Sequence, residues 1–600
     1  MAEADETEAA FFARVRAWRD QDPDDETRSE LTGLLEAAEA TDPPAGAGAA
    51  AGRSAALAEL HARFDTRLAF GTAGLRGELA AGPNRMNRVL VCQAARGLAA
   101  YLLEKAGLPE KPGPTETPTP SDRPGPARRP SVVIGYDGRK NSAVFARDTA
   151  EIMAGAGIRA ILLPRLLPTP VLAFAVRHLD ASAGVMVTAS HNPPRDNGYK
   201  VYLGGPDAGS QIVAPADGEI ARHIGLAANE SVARMPRSLD YETADTALVD
   251  AYVARAAEAA RRLAGDAALG DVRVAYTAMH GVGWATARRV FARAGIPEPA
   301  VVAQQIEPDP TFHTVAFPNP EEPGAMDLAF AAGRETHADL VVANDPDADR
   351  LAVAIPDPGP AGYRRLSGNE VGMLLGWAIA ERGRGEGVSA HDTLAVSIVS
   401  SPALRQVASR YGLGYEETLT GFKWVSRTPR LLYGFEEALG YLVDPDAVRD
   451  KDGISAAAVF LTMARLLAAR GVTIQDRLDE FARTFGYHAS RQLAIRVADP
   501  ARLATMMRRL RATPPDHVGR SRVRQIDDLA DGFEGLPPSD VLRLHLEGGA
   551  RVVVRPSGTE PKLKVYLDAA SEAGSLEERK AAALTLVDDL AGAMAGLLDA

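Results

Sequence analysis

Three stretches of alternating strand and helix, followed by a shorter α+β segment, predict an α/β protein of four domains, and three features of the chain carry that expectation. Its 600 residues exceed what one hydrophobic core can organise, so length alone points to roughly three to five domains. Hydrophobic residues make up 46% and charged residues 24% of the chain, the balance of a packed globular fold rather than of a disordered one. Short apolar, β-branched runs bounded by turn residues recur between helical periodicities, the order expected of sheets covered by helices on both faces.

Taken in order, Phe11 to Leu35 reads as two short amphipathic helices broken at Asp22-Pro23, with Asp25 to Thr27 offering a cap to the second. Ala45 to Gly52 is a low-complexity loop or a frayed helix, and Val89 to Ala106 has helical periodicity. The Pro/Thr/Ser-rich stretch Leu108 to Pro130 lacks the apolar residues to pack and reads as a flexible insert. Ser131 to Tyr136 and Ile158 to Leu163 read as buried strands around a helix starting near Ser142, and a further helix, Val171 to His178, leads to the apolar run Val185 to Val187. A second unit starts near Tyr241 and runs through the strand Val272 to Thr277 and the loop Met279 to Gly283 to the strand Leu340 to Ala343. A third contains the helix Val371 to Glu381 and the strand Thr393 to Val399; the last has a helix at Pro500 to Arg511, strands near Val541 to Leu546 and Arg551 to Val554, and a long helix after Glu577. The expected boundaries are 1–235, 236–362, 363–486 and 487–600.

A net charge of −12 gives no basic footprint for nucleic acid or an anionic membrane, so an anionic substrate has to be gripped by locally clustered Arg and Lys. The single cysteine, Cys92, permits no intrachain disulfide and no cysteine zinc site, which points to a reducing cytoplasm. The acidic N-terminal stretch has no long apolar core, and no later stretch reads as a bilayer span.

Four short stretches carry the chemistry. Val185 to Tyr202, VMVTASHNPPRDNGYKVY, reads as a buried strand delivering a loop that presents Ser190, and strand ends are where open α/β sheets build their sites. A serine hydroxyl becomes a nucleophile only with a base or metal beside it; His191, Asn192 and Lys200 are the local candidates. Phe70 to Glu78, FGTAGLRGE, places three glycines around Arg76, a loop whose backbone can approach an anion. Asp345, Asp347 and Asp349 alternate directly after a buried strand, which turns three hard oxygen ligands to one side and suits Mg²⁺. Arg555 to Val565, RPSGTEPKLKV, offers a guanidinium from Arg555, hydroxyls from Ser557 and Thr559, and flexible backbone at Gly558, the donors a phosphate needs.

Together these residues resemble the α-D-phosphohexomutase family, which interconverts 1-phospho and 6-phospho or 5-phospho sugars. TASHNP at Thr188 to Pro193, DPDADR at Asp345 to Arg350, GFEEALGY at Gly434 to Tyr441 and RPSGTEP at Arg555 to Pro561 stand in the family's order. The resemblance implies three similar mixed α/β domains and a smaller α+β domain around a central cleft. It implies a transferable phosphate on Ser190, Mg²⁺ between that phosphate and the three aspartates, and a sugar bisphosphate such as glucose 1,6-bisphosphate as activator. Lys200 matches the family's general acid or base, Arg76 and Arg350 flank the phosphoserine with His191 beside it, Lys423, Glu436 and Glu437 read the sugar, and Arg555, Ser557, Gly558 and Thr559 hold the non-reacting phosphate. Where some members end the sugar loop in histidine this chain has Tyr441, which leaves one acid/base role unassigned. The loops Thr420 to Trp424 and Asp450 to Gly453 are similar to the branch of phosphopentomutase-like phosphoglucomutases. Phosphoglucomutase activity is the leading expectation, with phosphomannomutase or phosphopentomutase specificity as alternatives. The absence of a Walker A sequence disfavours a P-loop kinase; a phosphoserine-using phosphatase and a silent sugar-phosphate-binding protein are the readings from other classes. The expected partners are small sugar phosphates, with neither nucleic acid nor membrane, and the sequence leaves the oligomeric state open.

Overall fold

The structure, a computed structural model, describes residues 7–40, 47–108, 129–383, 389–497, 500–557 and 562–599. Most of the insert expected between Leu108 and Pro130 lies outside the described residues, as do Gly558 and Thr559.

Two helices, Glu8–Gln21 and Asp25–Glu39, open the chain, and the second is capped by Asp24, whose carboxylate accepts from Glu26 N. Part of the stretch read as loop or frayed helix belongs to a regular helix, Ala47–Phe64. Among the described residues the strands form four sheets, all of them mixed or antiparallel. In the first, Ala183–Val187 lies parallel to Ser131–Tyr136 and antiparallel to Asp196–Leu203, so the Ser190 loop is the tip of a hairpin and Lys200 stands on its return strand, paired with Met186. Leu75–Glu78 adds to the far side of that strand, bringing Arg76 opposite Gly198. The short strand Glu242–Thr243 still pairs with this sheet. In the second sheet Leu340–Asn344 runs parallel to Val274–Thr277 and turns back into Leu351–Pro356, with Asp345 to Arg350 as the connecting loop. In the third, Thr393–Ser397 lies between Gly414–Thr418 and Leu431–Glu436, and the latter pairs antiparallel with Gly440–Leu442. The fourth is antiparallel through Tyr487–Arg496, Lys562–Ser571, Arg551–Pro556, Leu542–Leu546 and Ser521–Asp528.

The cores are distributed unevenly. One contiguous apolar cluster joins residues of the first unit, such as Leu172 and Met186, to Tyr276 and Val342 of the second and Phe435 and Phe460 of the third. The fourth unit has its own core and meets the third along a narrow seam of Ile398, Val399 and Leu419 against Leu529, Val541, Val553 and Tyr566. The last helix, Leu576–Asp599, is long and apolar enough by composition to cross a membrane, contrary to the expectation that no stretch is. Its residues Val587, Leu590, Ala591 and Met594 are packed into the fourth core.

The helix Arg88–Lys105 packs closely on Ala216–Ala227 at Gly97, where a Cβ would stand 2.5 Å from the backbone nitrogen of Ile224. Backbone cannot yield as a side-chain tip can, so Gly97→Ala is expected to destabilise the first unit by about 1–3 kcal/mol. A thermal melt reads this as a lowered Tm; an unchanged Tm would mean that the helices part freely at this crossing.

Candidate active site

Ser190 sits at the hairpin tip in the left-handed region, φ 51°, a conformation that costs a non-glycine residue free energy and needs support from its surroundings. Its own N–H donates to Thr188 Oγ1 at 2.8 Å. The wider support is Arg139, whose guanidinium is fully buried and donates to the carbonyls of Ser190 and Asn192 at 2.6 Å each, of Pro193 at 2.8 Å and of Asp196 at 3.0 Å. Arg139 thus ties both ends of the loop to the first sheet. Asp137 holds the start of the arginine's own turn, accepting from Arg139 N and Ser142 Oγ.

Facing the hairpin is the loop Asp345 to Arg350, with all three aspartates buried. One oxygen from each lies within 4.8 Å of the others. Ser190 Oγ donates to Asp345 Oδ2 at 2.9 Å, and His191 Nδ1 is 3.2 Å from the same hydroxyl. Lys200 Nζ donates to Asp347 Oδ2 at 2.8 Å and Asp349 Oδ2 at 3.1 Å. Thr169, at the start of the helix Thr169–His178, donates its hydroxyl to Asp347 Oδ2 at 2.7 Å and its N–H to Asp347 O at 2.9 Å. Lys451 approaches Asp349 Oδ2 at 3.2 Å from the third unit.

Burial opposes ionisation of all these carboxyls, and the cations decide which of them stay charged. Asp345 has its pKa raised well above the ordinary value by burial and by the two neighbouring carboxylates. For Asp349 the burial penalty is overcome by Lys200, Lys451 and Arg350, which hold it well below that value, and Lys200 does the same for Asp347 against burial and Asp349. Lys200, despite its burial, is raised by the two aspartates and stays an ammonium. His191 is pushed well below its ordinary value by burial and by Arg350 and Arg76, and is a neutral imidazole. Asp347 Oδ1 and Asp349 Oδ1 are buried without a hydrogen-bond donor. Buried carboxylate oxygens with no donor, next to a third carboxylate, are what a hard divalent cation satisfies, so the residues fit Mg²⁺.

Arg76 donates to Asn192 Oδ1 at 3.1 Å. Arg350 donates to Ala438 O at 2.9 Å, joining the aspartate loop to Gly434 to Tyr441. In that loop Glu436 accepts from Gly421 N at 2.6 Å, while Glu437 accepts from Ser400 Oγ at 2.8 Å and donates its N–H back to it at 2.9 Å. Lys423 hydrogen-bonds to Thr72 of the Arg76 loop. Tyr441 is buried, with its hydroxyl on Gly368 O at 3.3 Å, a core position away from any cleft. From the fourth unit, Arg555 stands opposite Lys564 on a strand pair leading to Ser557, whose N–H donates to Lys562 O. Arg551 of the same strand donates to Ser400 O and, at 2.8 Å, to Asp568 Oδ2.

The structure therefore joins Ser190, His191, Lys200, Arg76, Arg350 and the three aspartates in one nest, with Lys423, Glu436 and Glu437 on the loops beside it. Arg139, Thr169, Lys451, Ser400 and Arg551 were not singled out from sequence as site residues. Arg139 and Lys451 had a signal, a basic residue in a polar turn next to an apolar strand or helix, whereas a single threonine or serine in a loop carries none.

Four matches run along the chain in order: Phosphoglucomutase/phosphomannomutase alpha/beta/alpha domains I, II and III at residues 122–228, 250–359 and 367–485, and the C-terminal domain at 493–585. The chain belongs to the phosphoglucomutase/phosphomannomutase family. It is 52% identical over 81% of its length, and 93% of the other, to a Haemophilus influenzae protein named "Probable phosphomannomutase". It is 33% identical to the human phosphopentomutase, over 86% of this chain and 87% of that one. The crystal structure of a "putative phosphomannomutase" from Thermus thermophilus superposes with a TM-score of 0.65 at 25% identity, covering 89% of this chain and all of the other. The four-domain phosphohexomutase architecture and membership of the phosphosugar mutases, which are isomerases, follow from these matches.

If Arg139 sets the loop that carries Ser190, Arg139→Met should lower kcat by about 100-fold, the scale of a misplacement near 1 Å, with a smaller change in KM. Steady-state kinetics with a sugar 1-phosphate checks this; a variant that changes only KM would place Arg139 in substrate binding instead.

Proposed function

We propose that the chain interconverts the 1-phospho and 6-phospho forms of a hexose, glucose 1-phosphate first and mannose 1-phosphate second, through a phosphorylated Ser190. The observation that carries the reading is the Ser190 hydroxyl 2.9 Å from Asp345, inside a nest that also holds Lys200, Arg76 and Arg350. Phosphoryl transfer depends on positioning and charge compensation more than on covalent chemistry by the protein, and this nest offers both. Mg²⁺ held by Asp345, Asp347 and Asp349 would neutralise phosphate oxygens on Ser190.

In the forward half-reaction the bond from Ser190 Oγ to phosphorus breaks while the free sugar hydroxyl bonds to phosphorus and loses its proton, giving a sugar bisphosphate. The proton of that hydroxyl ends on the serine oxygen as it leaves, and Lys200, held as an ammonium by Asp347 and Asp349, is suited to offsetting the negative charge in the nest. His191, a neutral imidazole 3.2 Å from that oxygen, can relay the proton to it in this step and take it back when Ser190 attacks in the second half-reaction, where the proton ends on the departing sugar oxygen. The bisphosphate then has to turn, because one nucleophile serves both ends; Arg555 and Ser557, with Gly558 and Thr559, would hold whichever phosphate is not reacting. Glucose 1,6-bisphosphate would reload Ser190 when the intermediate escapes.

Glu436 and Glu437, each fixed by a hydrogen bond, supply two neighbouring acceptors for adjacent hydroxyls of a sugar. Glucose and mannose differ at one carbon, so both fit such a pair. Ribose 1-phosphate is the competing substrate, on the strength of the likeness to the human phosphopentomutase. A single cysteine, Cys92, buried and free, suits a reducing cytoplasm.

Ser190→Ala is expected to leave under a few per cent of wild-type turnover in an assay of glucose, mannose and ribose 1-phosphates with Mg²⁺ and a bisphosphate primer. The other hydroxyl against the aspartates, that of Thr169, is wholly buried and committed to Asp347, so it offers no substitute nucleophile. Substantial residual turnover would move the nucleophile elsewhere, and phosphate passing from Ser190 to water with no sugar bisphosphate formed would replace the mutase mechanism with that of a phosphoserine-using phosphatase. Glu437→Gln keeps size but changes the acceptor pattern, so it should alter the ratios of kcat/KM among the three sugars more than it weakens phosphate binding. Equal losses on all three would make the loop a lid without selectivity.

A further inference from the structure

The loop Met279 to Gly283 takes no part in the site described above, yet it is held in an unusual shape. Met279 and His280 are both left-handed, with φ of 49° and 59°, and His280 is fixed at both backbone groups, its N–H on Gln305 O at 2.8 Å and its carbonyl accepting from Asp309 N at 3.0 Å. The result is a buried imidazole facing the segment Asp309 to Thr314, with its ring centroid 4.6 Å from that of His313.

The groups around it are ordered like a ligand set. His280 Nε2 is 2.7 Å from Thr314 Oγ1, which accepts from Gln305 Nε2 at 2.9 Å, while Gln305 Oε1 accepts from Thr277 Oγ1 at 2.7 Å. With Nε2–H donating to Thr314, Nδ1 keeps its lone pair. Asp309 Oδ1 is taken by the N–H and hydroxyl of Thr311 at 2.8 and 2.7 Å, and Oδ2 points at His313 Nδ1, 2.7 Å away. One ligating atom from each of His280, Asp309 and His313 lies within 4.8 Å of the other two.

We propose that His280, Asp309 and His313 form a second metal site, of the two-imidazole, one-carboxylate kind that takes Zn²⁺ or a neighbouring late first-row ion. Two nitrogens and one oxygen match such ions and not Mg²⁺, which prefers oxygen alone, and three protein ligands leave a fourth position for water. Bonds of about 2.0–2.1 Å in a tetrahedron place ligand atoms about 3.3 Å apart, so the cluster has to draw in slightly. His313 can move to do so, its side chain being 60% exposed, and it opens the site to solvent. His280 cannot, and the Thr314–Gln305–Thr277 chain fixes its ring as partners behind metal-bound histidines do.

The site lies beneath the active-site loops without touching the reacting groups. Val282 N donates to Pro346 O at 2.9 Å, a Cβ on Gly281 would stand 2.3 Å from Pro346 Cα, and the Phe312 ring lies 5.0 Å from the Arg139 guanidinium. An ion joining His280 to Asp309 and His313 would therefore brace the supports of both the aspartate loop and the Ser190 loop. This assignment does not rest on the mutase reading.

The test uses the full chain, stripped with a chelator, supplied with excess Mg²⁺ to fill the aspartate loop, and titrated with Co²⁺ as a visible probe. One equivalent of Co²⁺ with an intense d–d band, unaffected by Mg²⁺, is expected. His313→Ala, a change at an exposed side chain, should abolish the band and weaken Co²⁺ binding by at least about tenfold, as should Asp309→Asn, while Mg²⁺-dependent turnover persists in His313→Ala. Zn²⁺ should raise the Tm of the wild type and not of His313→Ala. The proposal is overturned if no Co²⁺ binds under excess Mg²⁺, or if the band survives His313→Ala and Asp309→Asn and disappears in Asp347→Ala.

Discussion

Three carboxylates on one buried loop form the constraint on which the rest of the molecule depends. Out of water, Asp345, Asp347 and Asp349 can keep their charge only if cations reach them, and their own unit supplies Arg350. Lys200 arrives from the first sheet, Lys451 from the third unit, and Thr169 supplies two hydrogen bonds from the first. The loop is thus completed by packing, and the same contacts bring Ser190 to Asp345. This ties the assembly of the domains to the chemistry: units drawn apart would leave buried charge uncompensated.

The way the cores are shared follows the same division. Much of the first unit packs in a core of its own and part of it shares one apolar cluster with the second and third units, while the fourth has its own core and a thin apolar seam. Across that seam the strongest links are ionic. Arg551 and Arg543 both reach Glu417 of the third unit, and Arg551 also binds the carbonyl of Ser400, whose hydroxyl holds Glu437. A polar path therefore runs from the last sheet to a residue of the sugar loop, and removing one partner of such a buried pair is costly because the other is left stranded.

Much of this was legible in the sequence because it was local. Apolar runs such as Ser131 to Tyr136 and Leu340 to Ala343 locate strands, the aspartate spacing announces a cation, and the order of the four motifs announces the family. What stayed hidden depends on long-range pairing. Lys200 is ten residues from Ser190, yet it meets the aspartates because Asp196–Leu203 folds back on Ala183–Val187, a return strand that the polar residues Asp196 to Gly198 disguise. In the last unit the strand Tyr487–Arg496 mixes charged with apolar residues because one face is exposed, which blurs its pattern. Tyr441 looked like a substitution at a reactive position; its burial against Gly368 shows a side chain chosen by packing.

Arg139 fixes the Ser190 loop entirely through carbonyl oxygens. Carbonyls belong to every residue, so the grip does not depend on which side chains the loop carries. Residues between Ser190 and Asp196 can drift over evolutionary time without loosening the turn, provided each backbone can still adopt its angles. The arginine itself has no such latitude: lysine has no planar fork with which to reach several acceptors at once. Support and chemistry are thereby separated in this site, with the side chains of the loop left to the reaction and rigidity placed in a buried side chain behind it.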